Sequence, residues 1–220
     1  MSKLIVSVLL SVLLIALHSH VVSATANTMI PLTKDGHAYH RGNLSSKTVV
    51  EIFFDLTCPT CLSHWPTLTK VYETYKDTVH FEYRLFPIPS HQQGFIVAKA
   101  AQLVQQLGNP DAVYTFFDTA FANQALVTTE NTYDTTYNEV VKIVADWAVQ
   151  GTGVTTEKYY LGMNSNTPVG SQIEMETRYM WKQACIEGAF VAPMTQIDGL
   201  KVSGLDTFED WQAVLDPLVA

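Results

Sequence analysis

The feature that most constrains the fold of this chain is a pair of cysteines, Cys58 and Cys61, set between a strand-like run and a helix-like run. Residues 48–54 read Thr-Val-Val-Glu-Ile-Phe-Phe, a β-branched and aromatic stretch with little polar alternation. Such a stretch predicts a strand buried on both faces. After the cysteines, apolar residues recur at helical spacing: Leu62, Trp65, Leu68, Tyr72 and Tyr75. The predicted order is strand, cysteine pair, helix.

The start of a helix is a place where a cysteine becomes reactive. Unpaired backbone N–H groups and the helix dipole stabilise an anion there, so we expect the thiolate of Cys58 to be favoured. Pro59 suits the first helical position, where its missing N–H has no partner to lose. Cys61 lies on the same helical face, within reach of a disulfide. The spacing predicts thiol–disulfide exchange, with Cys58 at an exposed tip exchanging with a substrate and Cys61 resolving the mixed disulfide.

A Cys-x-x-Cys pair has two other common roles, a structural disulfide and half of a zinc site. A zinc site would need further ligands, for which His64 and His91 are the candidates. Neither stands at a standard zinc-ligand spacing from the cysteines. We expect both histidines to be plain surface or helix-start residues rather than groups that tune the thiolate. The third cysteine, Cys185, is expected to be a buried free thiol. No metal and no cofactor beyond the dithiol is predicted.

The rest of the chain predicts a β-α-β unit, a long helical stretch and a return to sheet. Alternation over 81–85 gives the second strand. Helices are predicted at 96–107, 113–121, 133–147 and about 169–187, the third with one apolar face that runs from Tyr133 to Trp147. Strands at 194–197 and 200–203 flank an Asp-Gly turn, and a last helix begins with a capping box of Asp206 and Glu209.

The N-terminus predicts a signal peptide over residues 1–24, because Lys3 precedes a short apolar run and Ala24 ends a small-residue cleavage site. The remaining 25–220 would form one domain, secreted or in the lumen of the secretory pathway, with no membrane contact after cleavage. Asn43 begins a glycosylation sequon. With 13 basic and 21 acidic residues the net charge is −8, which argues against a nucleic acid partner.

Two distant segments together resemble a known family. The segment 53–61 reads Phe-Phe-Asp-Leu-Thr-Cys-Pro-Thr-Cys, and 188–199 reads Gly-Ala-Phe-Val-Ala-Pro-Met-Thr-Gln-Ile-Asp-Gly. They resemble the thioredoxin superfamily and, more closely, its DsbA-like branch, over about residues 46–218. The resemblance implies an α/β thioredoxin-like fold with an inserted helical domain at about 90–188.

The resemblance also implies functional residues. Pro193 matches the family's cis-proline that faces the cysteines, so Ala192 before it would pair with an extended substrate strand. One position departs from the family pattern: many relatives carry a buried acid six residues before the first cysteine, and here that residue is Ile52. The acid is Glu51, on the opposite face of the strand, so we do not assign it the proton-transfer role.

The leading hypothesis is a DsbA-like oxidoreductase that acts through Cys58 and Cys61 on cysteine-containing proteins, with an unidentified redox partner. One alternative is a binding or chaperone-like module that keeps the fold and uses its disulfide only structurally. The other is a relative of kappa-type glutathione transferases or isomerases, which generally lack the second cysteine of the pair, so Cys61 argues against it. The direction of exchange, the oligomeric state and the role of Cys185 do not follow from the sequence.

Overall fold

The computed structural model describes residues 37–220, and the predicted signal peptide at 1–24 lies outside them. Five strands are formed by β1 (Tyr39–Gly42), β2 (Val49–Phe54), β3 (His80–Leu85), β4 (Met194–Ile197) and β5 (Leu200–Val202). Seven α-helices within the described range are α1 (Pro59–Tyr75), α2 (Gly94–Leu107), α3 (Ala112–Ala122), α4 (Tyr137–Val149), α5 (Thr156–Met163), α6 (Pro168–Ile186) and α7 (Phe208–Val219). A short 3₁₀ helix spans Gln124–Val127.

The strands form one mixed sheet in the order β1-β3-β2-β4-β5. β2 lies in the middle, parallel to β3 and antiparallel to β4, while β1 pairs antiparallel with β3. The β2-α1-β3 crossover and the β4-β5 hairpin agree with the sequence prediction, and the hairpin turns at Asp198 and Gly199, both with positive φ. The carboxyl end of the central strand therefore leads directly into the cysteine pair.

Both faces of β2 are covered, as its composition predicts. Phe54 stacks on Trp65 of α1, with ring centroids 6.0 Å apart, and meets Phe117 of α3 edge-on at 5.2 Å. Phe53, which points to the other face, lies in a cluster with Ala184 of α6. Because successive side chains of a strand point to opposite faces, one pair of phenylalanines joins the two layers to the sheet.

The five helices α2 to α6 all lie between β3 and β4, which gives a thioredoxin-like fold with an inserted helical domain, as expected. The insertion is tied to the rest of the domain by the indole of Trp65, which donates to Asp118 Oδ1 at 2.7 Å. Inside it, fully buried Lys99 donates to Glu174 Oε2 at 3.0 Å and to Met163 O at 3.0 Å. These polar contacts fix how the helices pack on one another.

Some predicted boundaries were wrong for local reasons. The third predicted helix begins at Tyr137 rather than Tyr133, because Thr136 caps it in a capping box with Glu139, and Tyr133 is 74% exposed. The capping box of the last helix is formed by Thr207 and Asp210, one residue after the predicted pair. Strand β1 and helix α5 were not predicted.

None of the helices formed by residues 37–220 is long and apolar enough to cross a membrane.

Candidate active site

Cys58 caps the amino end of α1, as the sequence predicts. Its backbone is extended, with φ −83° and ψ 122°, and Pro59 is the first residue of the helix. The Cys58 carbonyl accepts the N–H of Leu62 at 3.1 Å, so the helical ladder begins at this residue. No acidic side chain stands in the first turn, so no carboxylate of that turn competes with a thiolate for the helix dipole.

The two sulfurs have opposite proton affinities. The Cys61 thiol donates a hydrogen bond to the Cys58 sulfur, and this is the largest of the causes that lower the pKa of Cys58 from 9.0 to about 6 against the opposing effect of burial. The N–H groups of Cys61 and Thr60 and the charge of His91 contribute to the same lowering. Burial and the same hydrogen bond raise the pKa of Cys61 well above 9.0. At neutral pH the pair is therefore a Cys58 thiolate beside a Cys61 thiol.

The loop before β4 covers Cys58. The Ala192-Pro193 peptide bond is cis, and the Cys58 sulfur lies 3.3 Å from the Ala192 carbonyl oxygen, to which it donates a hydrogen bond only when the thiol is protonated. Cys58 is only 4% exposed, so the prediction of an exposed tip was wrong. The cause is a contact between residues 134 positions apart in the chain, which no local pattern encodes.

A buried carboxylate that sequence reasoning passed over lies beside Cys61. Asp55 is 1% exposed. Its Oδ1 accepts hydrogen bonds from the backbone N–H of Thr57 at 2.8 Å and from the side-chain hydroxyl of Thr57 at 2.6 Å. Its Oδ2 accepts the N–H of Ile88 at 3.0 Å and lies 2.7 Å from His91 Nδ1. The Asp55 N–H is 3.4 Å from Cys61 Sγ. The one available signal was an acid directly after the predicted strand, three residues before Cys58.

The two histidines differ in role. His91 was predicted to be a plain helix-start residue, but it is bound to Asp55 and its charge reaches Cys58. His64 follows the prediction more closely: its Nδ1 donates to the Thr60 carbonyl at 2.8 Å, and its Nε2 lies 3.2 Å from Asp206 Oδ1. Of the two histidines, His91 of the inserted segment therefore lies where its charge acts on the Cys58 thiolate.

Two other expectations can be compared with the structure. Cys185 is exposed near the end of α6, so its predicted burial was wrong; its neighbour Ala184 is the residue that faces the core. Glu51 lies on the strand face away from the cysteines, 3.5 Å from the buried guanidinium of Arg84, which agrees with withholding a proton-transfer role from it.

Gln124, which the sequence did not single out, holds the segment before the helix in place. Its buried amide nitrogen donates to the carbonyls of Leu56 at 2.9 Å and of Cys58 at 3.0 Å. Both acceptors precede α1, and the Cys58 carbonyl accepts the N–H of Leu62 as well. The inserted domain therefore positions the backbone that carries the reactive sulfur.

A groove of about 300 Å³ lies beside the cis peptide, between α1, the β4-β5 hairpin and α7. Pro193 and His64 line it together with two apolar side chains of the preceding loop, Phe190 at 76% exposed and Val191 at 44% exposed. Exposed apolar side chains next to a reactive sulfur form a surface that an unfolded or extended chain can contact.

The comparisons with known proteins agree with this fold. Residues 34–217 match the family model described as Thioredoxin, so the chain belongs to the thioredoxin family. A search of curated protein sequences found no significant relative.

Several solved structures share the fold of this chain at 20% identity or less. BdbD from Bacillus subtilis has a TM-score of 0.67 and 15% identity, over 85% of this chain and 95% of that one. The thiol-disulfide exchange protein alpha-DsbA2 from Wolbachia pipientis has a TM-score of 0.62 and 18% identity, over 84% and 91%. A periplasmic thioredoxin-like protein from Salmonella enterica serovar Typhimurium has a TM-score of 0.60 and 20% identity, over 86% and 93%.

Proposed function

We propose that this protein is a thiol–disulfide oxidoreductase that exchanges disulfides with the cysteines of protein substrates through Cys58 and Cys61. The observation that carries the proposal is the asymmetry of the pair: a thiolate at Cys58 with a pKa of about 6, and a protonated, buried Cys61 that donates to it. The name of alpha-DsbA2, a thiol-disulfide exchange protein with this fold, supports the same activity.

In the oxidising direction, a substrate thiolate attacks Cys58 of the Cys58–Cys61 disulfide. The bond between the two cysteines breaks, a mixed disulfide forms on Cys58, and Cys61 leaves as a thiolate that takes up a proton. A second substrate thiolate then attacks the substrate sulfur of the mixed disulfide, and Cys58 leaves as a thiolate. The substrate loses two electrons, the dithiol gains them, and a two-electron oxidant of unidentified nature regenerates the disulfide.

Asp55 and His91 lie where they can help to move a proton to and from the Cys61 sulfur. The carboxylate is buried close enough to Cys61 that its charge raises the pKa of that thiol. It is linked to the partly exposed imidazole of His91, which is a route from the buried site towards solvent. We assign the pair a positioning and proton-transfer role, the role that the acid missing at Ile52 would otherwise have.

The substrate segment is proposed to lie along Ala192. In the reduced protein the carbonyl of Ala192 already faces the Cys58 sulfur, and an extended chain that pairs with this backbone would place its own sulfur there. The groove beside Pro193 would accept apolar side chains of such a chain. Backbone pairing with a few apolar contacts suits substrates of varied sequence, as unfolded secreted proteins are.

The proposed location is a secreted or lumenal compartment, where protein disulfides form. It depends on the predicted signal peptide at 1–24, and it is supported by the periplasmic origin of the Salmonella neighbour.

The decisive test uses the oxidised protein and reduced, unfolded ribonuclease A, with free thiols and ribonuclease activity measured over time. We expect disulfide transfer by the unsubstituted protein and none by Cys58→Ser. In a parallel reaction, reduced Cys61→Ser is mixed with ribonuclease A that carries scrambled disulfides, and the Cys58 thiolate should attack one of them and remain trapped as a mixed disulfide. Cys185→Ser is the matched control and should transfer normally. If Cys58→Ser transfers as fast as the unsubstituted protein, the proposal is wrong; if no form transfers but the unfolded chain is still bound, the protein is a binding module.

A further inference from the structure

A second cluster of ligand-type side chains lies on the edge of the sheet, away from the cysteines. His40 Nδ1 is 3.0 Å from His80 Nε2 and 3.9 Å from Glu82 Oε1. One donor atom from each of the three residues falls within 4.8 Å of the others. His40 is 28% and Glu82 9% exposed, so the cluster is partly shielded from water and still reachable from it.

The sheet register brings these three side chains to one face. His40 on β1 is directly opposite Glu82 on β3. His80 is two residues before Glu82, and residues two apart on a strand point to the same face. Since His80 pairs with Val49 at the amino end of β2, the cluster lies at the opposite end of the central strands from Cys58. It is therefore separate from the candidate active site.

The spacing of the donor atoms suits a tetrahedral ion. Zinc bonds of about 2.0–2.2 Å to nitrogen and oxygen place neighbouring ligand atoms about 3.3 Å apart. The distances of 3.0 and 3.9 Å fall on either side of that value. The third pair of donor atoms, from His80 and Glu82, lies within 4.8 Å, so an ion would draw the carboxylate towards the two imidazoles to complete the set.

Arg84 orients the carboxylate for this purpose. Its Nη2 donates to Glu82 Oε2 at 2.6 Å, so that Oε2 is fixed on the guanidinium and Oε1 is turned to His40. Arg84 is itself fully buried and donates to the carbonyl of His37 at 2.9 Å. A carboxylate held in this way by an outer residue is the usual support of a metal ligand.

We propose that His40, His80 and Glu82 form a binding site for a divalent transition-metal ion, with Zn²⁺ as its ligand. Two imidazoles and one carboxylate are donors that zinc accepts, and they leave a fourth position for water. Copper(II), which binds the same donors more tightly, would compete. The bound ion would join edge strand β1 to β3 and fix the edge of the sheet.

The test is calorimetric titration of the purified protein with zinc chloride. Cys58, Cys61 and Cys185 are replaced by serine, because thiolates bind zinc themselves. We expect one equivalent of zinc to bind, and His40→Gln and His80→Gln each to weaken the affinity at least tenfold. His37→Gln is the matched control: His37 also faces a carboxylate, Glu176, at 3.3 Å, and its loss should leave the affinity unchanged.

A second measurement protects against variants that fail to fold. In the triple-serine protein with all histidines present, zinc should shift the ring ¹⁵N resonances of His40 and His80 and leave that of His37 in place. The proposal is overturned if zinc does not bind, if His37→Gln weakens binding as much as His40→Gln does, or if the ring resonances of His40 and His80 do not move.

Discussion

The sulfur of Cys58 lies 3.3 Å from the carbonyl oxygen of Ala192, and these two residues are 134 positions apart in the chain. Cys58 is held by the start of α1, and Ala192 by the cis peptide that leads into β4. A substrate of the proposed kind would have to displace this contact and would then meet the backbone of Ala192. The proposed function therefore predicts that access to the thiolate and recognition of an extended chain are coupled in one place.

The titration of Cys58 is the most direct consequence of the geometry. We expect alkylation by iodoacetamide in a Cys185→Ser background to follow a pKa of about 6, because the Cys61 thiol donates to the Cys58 sulfur. Cys61→Ser should move this midpoint. It should move to a higher pH if the serine hydroxyl does not donate a hydrogen bond to the Cys58 sulfur in place of the thiol. Alkylation with the same midpoint in Cys58→Ser would show that another group is being observed.

A second prediction separates the two histidines near the site. His91→Gln removes a positive charge that lowers the pKa of Cys58, so the alkylation midpoint should rise. The rise should be small, because the charge of His91 is the last of the causes that set this pKa. His64→Gln serves as the control, since the contacts of His64 are to Thr60 and Asp206. Equal shifts in the two variants would contradict the assignment.

The redox potential should lie between those of thioredoxin and DsbA. Stabilising the Cys58 thiolate favours the reduced form, and a pKa of about 6 falls between the values of about 7 for thioredoxin and about 3.5 for DsbA. Equilibration with glutathione buffers, read by alkylation and mass, should give a potential between about −270 and −120 mV. A value below that of thioredoxin would mean that the thiolate is not stabilised.

Gln124→Leu should destabilise the fold and disturb the site together. The change removes the buried donor of the Leu56 carbonyl and one of the two donors of the Cys58 carbonyl, which costs about 2 kcal/mol in the free energy of unfolding. Urea denaturation measures this. Gln105→Leu, on the exposed side of α2, should change the stability by about 0.5 kcal/mol or less. If both variants unfold at the same urea concentration, the anchoring role is wrong.

The inserted domain should lose stability in acid through Glu174. Hydrogen bonds from Ser165, Arg178 and Lys99 outweigh the effect of burial and lower the pKa of Glu174 to about 2. In the unfolded chain the value is about 4.3, so the ion pair contributes fully above that pH and its contribution is lost as the pH falls towards 2. We expect the free energy of unfolding to fall by about 2–3 kcal/mol between these two pH values.

Glu174→Gln should remove that part of the pH dependence and lower stability at neutral pH, because Lys99 stays buried without its counter-charge. Glu157→Gln, on the exposed face of α5, should keep the full acid dependence. An acid unfolding profile of Glu174→Gln that matches the unsubstituted protein would contradict the prediction.

Local patterns in the sequence were enough to predict most of the elements. The run over 48–54, the helical spacing after Cys61 and the Asp-Gly turn each have a period or a turn chemistry that a short segment contains in full. The errors are at the starts of helices, where a single capping side chain decides which of several neighbouring residues begins the helix. Thr136 and Thr207 each cap a helix that the apolar pattern alone would have begun elsewhere.

The elements that were missed have little local signal. Strand β1 is four residues long and contains His40, Arg41 and Gly42, so it is a strand only because it pairs with β3. Helix α5 has eight residues and a weak apolar pattern, and it is defined by packing on its neighbours. Intrinsic preference decides little in such short segments.

By itself the sequence determined the reactive pair: a buried strand that runs into Cys58, with Pro59 opening the helix, requires only neighbouring residues. Tertiary structure decided everything that acts on the pair from a distance. The contact of Cys58 with Ala192 and the hydrogen bond of Asp55 with His91 each join residues far apart in the chain. Hydrogen bonds and charges act through space, so a sequence pattern can place a thiol at a helix start but cannot show which groups will surround it.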